Sequence, residues 1–270
     1  MSVHAASKRG RRDQNEDKHN IILNLDGNNK DKSPINFFGL YDGHGGKFVS
    51  EFLEHNIAKC FMNKNVKYPL KSKYVYKVYN YIQDILKKDT SNKNKSKALS
   101  CGSTCLIIIQ FNDAGKQYIN VLNTGDTRAV ICTSQYAITL TEDHKPNSQK
   151  ESTRLAKIDG KVWHDGYDWR ICDLSVSRAF GDIDSEPFVI NKPDISLYEI
   201  TNKDKFIVLA CDGLWDMTTG QEVIDLVLKM CYDDNEKRIN RTINIAKFLV
   251  DYSIKKGSTD NVSVIVIFLD

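Results

Sequence analysis

The sequence predicts an α+β fold built on antiparallel sheets, and three observations carry that prediction. Runs of strand length rich in Ile, Val and Tyr recur along the chain. Two of them, residues 104–111 and 117–122, are joined by Asn112-Asp113-Ala114-Gly115, which reads as a hairpin turn. Helical patterns fall between groups of strands rather than alternating with single strands, so a doubly wound parallel sheet is not expected.

In chain order, strands are expected at 21–25, 35–41, 104–111, 117–122, 128–133, 136–140, 194–199, 206–211 and 262–268. The stretch from Cys105 to Leu140 reads as one antiparallel meander. A helix over 47–61 places Phe48, Phe52, Ile57 and Phe61 near one face, and one over 74–88 does the same for Val75, Val78, Ile82 and Ile85. A helix over 148–158 opens with a Ser148/Glu151 capping box and stops before Gly160. Another over 221–230 follows a Thr219/Glu222 capping box. The last, over 236–255, carries Ile239, Ile243, Ala246 and Val250 and stops at Gly257. The lysine- and asparagine-rich segments 63–73 and 87–97 read as solvated loops flanking a helix rather than as a docking surface.

The chain has 270 residues, 41% hydrophobic and 10% aromatic, enough for a sizeable core. No repeat or linker divides it, so one domain over 1–270 is expected. A net charge of +3 is too mild to argue for nucleic acid. The seven cysteines form no CxxC pair. Cys60, Cys105, Cys132, Cys172, Cys211 and Cys231 lie in or beside apolar stretches, as reduced core thiols do, and only Cys101 sits by a turn. A reducing compartment is expected, cytoplasm or nucleus. The N-terminal stretch has no apolar signal core, and the longest apolar run, 262–269, is too short to cross a bilayer, so no membrane association is expected.

Four aspartates sit where apolar runs meet a glycine or a turn. Asp42 closes INFFGLYDGHGG, Asp126 lies in YINVLNTGDTRAV, Asp212 closes KFIVLACDGLWD and Asp260 opens STDNVSVIVIFLD. Each alone is satisfied by turn chemistry. Together with Glu16 and Asp17 they suggest one acidic pocket, and without thiolate partners such a pocket suits hard divalent ions. Two divalent ions lower the pKa of a shared water and clamp an in-line displacement at phosphorus. Arg11 and Arg12, just before Asp13, could fork onto phosphate oxygens, or form a solvated basic segment. His44 could protonate a leaving alkoxide, or be a structural turn histidine. Walker A, HExxH and GxSxG patterns do not occur in the sequence, so a covalent serine mechanism has no support.

RRDQNED, FFGLYDGHGG, CGSTCLIII, NTGDTRAV, DHKP, LSVSRAFGD, KPDIS, FIVLACDGLWD and STDNVSVIVI follow one another in an order that resembles the metal-dependent type 2C protein serine/threonine phosphatases. The resemblance runs from about Ser7 to Leu269. It implies a four-layer α/β/β/α sandwich, with two central antiparallel sheets flanked by helices and metals at one edge between the sheets. It implies two core magnesium or manganese ions and a weaker third. Asp42 would bridge the core pair, the Gly43 carbonyl would bind one ion, and Asp212 and Asp260 would complete the other's protein ligands. Glu16 and Asp17 would act close by, largely through water, and Asp126 and Asp216 match the third site. Arg12 matches the phosphate-binding arginine and His44 the proposed general acid. Arg178 matches a structural or flap-anchoring position.

The implied reaction is hydrolysis of phosphoserine and phosphothreonine on protein substrates, by direct attack of a metal-bridging hydroxide and without a phosphoenzyme. A monomer is expected. A variable flap within 143–193 departs from the family: the glycine often found before LxxSRxxGD is missing from Trp169–Leu174, and His164–Trp169 is individual to this chain. The alternative in the same fold is a catalytically weak scaffold, which would have lost metal carboxylates, and none is lost here. A haloacid-dehalogenase-type enzyme would need a second Asp at position 214, which is Leu. A calcium-binding loop would need alternating Asp or Asn with a closing Glu, which DGHGG and DGLWD lack.

Overall fold

The computed structural model describes residues 1–25, 34–62, 65–88, 97–233 and 243–269. They form two compact units. One comprises Met1–Asp17, Arg128–Thr141 and Ile200–Asp270, and the other Lys18–Thr127 and Glu142–Glu199. Each carries one five-stranded antiparallel sheet with helices packed on it, as the α+β reading requires.

In the first unit the strands run Ser2–Lys8, Val262–Phe268, Asp204–Ala210, Arg128–Thr133 and Tyr136–Thr139, every neighbour antiparallel. Val262–Phe268 is buried along its whole length, which is why its sequence is a continuous apolar run broken only by Ser263. Helices Gly220–Cys231 and Ile245–Lys256 lay Val223, Val227, Leu249 and Val250 against Val208, Val264, Val266 and Phe268. Thr219 caps the first of these by accepting from the Glu222 amide (3.2 Å), but the Glu222 carboxylate turns to Tyr252 (2.7 Å) and Lys256 (2.8 Å), so only half of the expected capping box forms. Asn244 caps the second, and Gly257 closes it at φ +112°. The expected helix start at 236, with Ile239, lies outside the described residues.

The second unit orders its strands Asp194–Ile200, Lys116–Thr124, Cys105–Asp113, Asn36–Tyr41 and Lys18–Ile22. Helices Phe48–Phe61 and Ser72–Lys88 cover it. Their buried stripes are Val49, Leu53, Ile57 and Phe61 in one and Val75, Val78, Ile82 and Leu86 in the other, packed on Phe37, Ile107, Ile109 and Leu122. Phe48 and Phe52 sit at the margin of the first stripe, half-buried, rather than at its centre. Of the lysine- and asparagine-rich segments, residues 63–64 and 89–96 lie outside the described residues. A short sheet joins Phe180–Gly181, Gly102–Ser103 and Gly43–His44.

Several expectations need correction. The 105–140 meander is two hairpins in two different sheets. Ala114 and Gly115, at φ +48° and +80°, make the tight turn of the first. Gly125, at φ +106°, then turns the chain out of that sheet before Arg128. Ser148 takes the N-cap backbone conformation of helix Gln149–Ala156, but its side chain accepts no capping hydrogen bond. Glu151 is drawn inward instead, to Arg178. The strand expected at 21–25 runs over Lys18–Ile22, because Asn24 takes φ +59°. Cys172 is exposed at a turn, not a core thiol.

Candidate metal centre

In the first unit the predicted residues gather around one buried polar knot, Cys211 and Asn261. Asp17 is buried, and its Oδ2 accepts from Ser263 Oγ (2.5 Å) and Cys211 Sγ (3.5 Å). Asn261 holds the chain around it. Its Nδ2 donates to the carbonyls of Arg9 (2.8 Å) and Gln14 (2.9 Å), and its Oδ1 accepts from the Glu16 amide (2.8 Å). The RRDQNED loop is therefore tied to the residue following Asp260. Gly10 completes the closure at φ +62°, where a Cβ would lie 2.0 Å from the Asp260 carbonyl oxygen.

Asp212 opens a single helical turn, Asp212–Trp215, directly after the Asp204–Ala210 strand and Cys211. Gly213 has no room for a side chain, since its Cβ would lie 2.1 Å from the Asn261 carbonyl oxygen. Asp216 follows at the end of that turn, its amide bonded to the Asp212 carbonyl (2.9 Å). Asp260 accepts from Arg12 Nη2 at 2.7 Å, with the arginine side chain 60% exposed. Asp17, Asp212, Asp260 and Arg12 are thus assembled by one loop, one strand end and the start of the last strand.

In the second unit Asp42 follows the Asn36–Tyr41 strand. Its amide donates to Thr104 Oγ1 (3.0 Å), and the Thr104 amide donates back to its carbonyl (2.9 Å). Thr104 Oγ1 also meets Thr127 Oγ1 at 2.6 Å, beside Asp126. A carboxylate oxygen of Asp42 and one of Asp126 consequently lie within 4.8 Å of each other. Two anions at that separation repel by about 3 kcal/mol at an effective dielectric near 20. Asp126 is nearly fully buried and carries the Lys145 ammonium at 2.5 Å. The Gly125 turn is seated by His144, whose Nδ1 accepts from the Gly125 amide (3.0 Å). Lys145 also approaches Asp168 of the flap at 3.7 Å.

Gly43 and His44 form the short strand against Gly102–Ser103. The His44 ring reaches Asp182, Nε2 to Oδ2 2.7 Å. Sequence reasoning missed Asp182, Asn261, Thr104 and Lys145. DHKP and SRAFGD were in view as motifs, but nothing in their spacing tells which carboxylate meets which ring. Arg178 is buried on Glu151, Asp194 and the Lys192 carbonyl, where it is a packing cation.

The donor set suits a hard divalent cation. In each unit the candidate ligands are carboxylate oxygens at strand ends, and in each an acid already holds a cationic side chain, Arg12 on Asp260 and Lys145 on Asp126. Among the described residues no helix is long and apolar enough to cross a membrane.

Comparison with known proteins agrees. The family model "Protein phosphatase 2C" matches residues 1–262. The chain is 34% identical over 267 residues to "Probable protein phosphatase 2C 2" of Arabidopsis thaliana, an alignment covering 97% of this chain and 66% of that protein. It is 41% identical over 174 residues to a PP2C-like domain-containing protein of Acanthamoeba polyphaga mimivirus, covering 58% of this chain and 97% of the relative. The crystal structure of a serine-threonine phosphatase 2C from Toxoplasma gondii shares the fold, with a TM-score of 0.80 at 21% identity over 98% of this chain and 94% of that one. The motif order, the sheets and the family match over almost the entire length place the chain in the protein phosphatase 2C family.

Proposed function

We propose that the chain is a metal-dependent serine/threonine protein phosphatase, acting on phosphoserine and phosphothreonine in protein substrates. The observation that supports it most is the acid pair Asp42 and Asp126 within 4.8 Å, in a chain of this family. Asp42, the Gly43 carbonyl, Asp212 and Asp260 are proposed to hold two magnesium or manganese ions. Glu16 and Asp17 lie close by and act through water, and Asp126 and Asp216 serve a weaker third site. When bound, the ion pair supplies an activated water for direct attack at phosphorus and neutralises phosphoryl charge.

The chain's own residues do the rest. Asp260 orients the Arg12 guanidinium, whose exposure leaves it able to fork onto the phosphoryl oxygens. His44, 27% exposed, donates a proton to the seryl or threonyl oxygen as it leaves. Asn261 and Gly10 keep the Arg12 loop and Asp260 in register. The test is phosphate release from a phosphothreonine peptide with manganese, with chelator, and with Asp212→Asn. Release that both treatments abolish is expected. Release that survives chelation, or is equal in the variant, refutes the proposal.

A further inference from the structure

The mechanism uses His44 but not the buried carboxylate beside it. Asp182 is 2% exposed, and its Oδ2 sits 2.7 Å from His44 Nε2. An ionised carboxylate can only accept, so this contact puts a proton on Nε2. Everything around the pair is built to hold it. Asp182 takes φ +45°, a left-handed conformation that Asp tolerates better than most residues. Its amide donates to the Cys101 carbonyl (3.1 Å), and its carbonyl accepts from the Ser185 amide (2.8 Å). The preceding Gly181 is gripped on both sides by the buried Gln83 side chain, which donates to its carbonyl (2.9 Å) and accepts from its amide (3.0 Å).

The short sheet fixes the register between the two partners, with His44 opposite Gly102 and Gly102 opposite Gly181. Gly102 is the gap through which they meet. A Cβ there would fall 2.0 Å from Asp182 Oδ2 and 2.4 Å from His44 Nε2. Residue 102 must lack a side chain for this hydrogen bond to exist.

We infer that Asp182 is a positioning residue that fixes the plane of the His44 ring for proton donation to the leaving alkoxide. This rests on the general-acid role proposed for His44. A ring bonded through Nε2 to a rigid carboxylate cannot flip about its last torsion, so Nδ1 of the doubly protonated ring is the nitrogen that gives its proton to the leaving oxygen, and it keeps one direction through the reaction.

The experiment compares Asp182→Asn and His44→Ala on two substrates. One is a phosphothreonine peptide, whose alkoxide needs a proton. The other is p-nitrophenyl phosphate, whose leaving group does not. With Asp182→Asn, kcat on the peptide is expected to fall roughly 10- to 100-fold, part of the roughly 100- to 10,000-fold that a general acid contributes. The fall on the aryl ester should be at least ten times smaller, and manganese affinity by calorimetry should stay within about 3-fold, a combination that a merely structural role would not produce.

Equal losses on both substrates for Asp182→Asn, with a selective loss for His44→Ala, overturn the positioning role alone. Equal losses for His44→Ala as well overturn the general acid and this inference together. A measurement on the wild-type protein covers a variant that does not fold: 15N NMR of the His44 ring should show the proton on Nε2. An unprotonated Nε2 overturns the inference.

Discussion

Glu151→Gln removes one buried charge while keeping the side chain's shape. The Glu151 carboxylate is fully buried and accepts from Arg178 Nε (3.0 Å) and Nη2 (2.5 Å), Arg154 Nε (3.0 Å) and Ser177 Oγ (2.8 Å). Burial alone would raise its pKa, but the hydrogen bonds and charge of Arg178, with Arg154 and Ser177, hold it at about 2, against an ordinary 4.5. At about 1.4 kcal/mol per pH unit, that difference is worth about 3 kcal/mol at neutral pH. Breaking a buried ion pair from one side costs a similar amount, about 3–5 kcal/mol.

Folding lowers this pKa, so the stabilisation is complete above 4.5 and is lost as pH falls from 4.5 towards 2. One pH unit below 4.5, about 1.4 kcal/mol of it has gone. Urea unfolding of wild type and variant at pH 7 and at pH 3.5 reads both quantities. The variant should be less stable by about 3 kcal/mol at pH 7, with the gap narrower by about 1.4 kcal/mol at pH 3.5. A loss under about 1 kcal/mol at pH 7, or a gap indifferent to pH, would refute the assignment of Glu151 as a paired, ionised core carboxylate.

Three other outcomes are expected. Arg12→Ala should leave urea stability within about 0.5 kcal/mol, because its pair with Asp260 is largely solvated, yet weaken inhibition by inorganic phosphate at least about 10-fold. Gly10→Ala combines a left-handed φ with a backbone clash at Asp260, so it should cost more than about 2 kcal/mol and weaken manganese binding measured by calorimetry. Burial pushes the Cys105 thiol up to about 12, so a disulfide reagent at pH 8 should spare it in the native protein and reach exposed Cys172 first.

The apolar runs made most of the strands legible, and the acids at their ends were legible for the same reason: a strand that stops at Asp before Gly announces both. The Ser2–Lys8 strand was not legible. Its SVHAASK sequence has one β-branched residue and earns its place only by pairing with Val262–Phe268. Residues 148 and 151 carried a local capping signal that a long-range arginine overrode, since a buried guanidinium binds a carboxylate more strongly than an amide does. Asp182 and Asn261 were invisible because their partners lie far off in sequence.

The pairing of Ser2–Lys8 with Val262–Phe268 also sets an order of events during synthesis. Among the described residues Ser2–Lys8 lies at a sheet edge, with Val262–Phe268 as its one strand neighbour. The nascent chain must therefore carry an unpaired strand past the ribosome while all the sequence of the other unit emerges. Asp260 and Asn261 are delivered just before Val262–Phe268, so the loop bearing Arg12 acquires its anchor only after about 250 further residues have been made. Until then the segment is an open template for pairing with other chains, and a translational pause before residue 262 would lengthen that exposure.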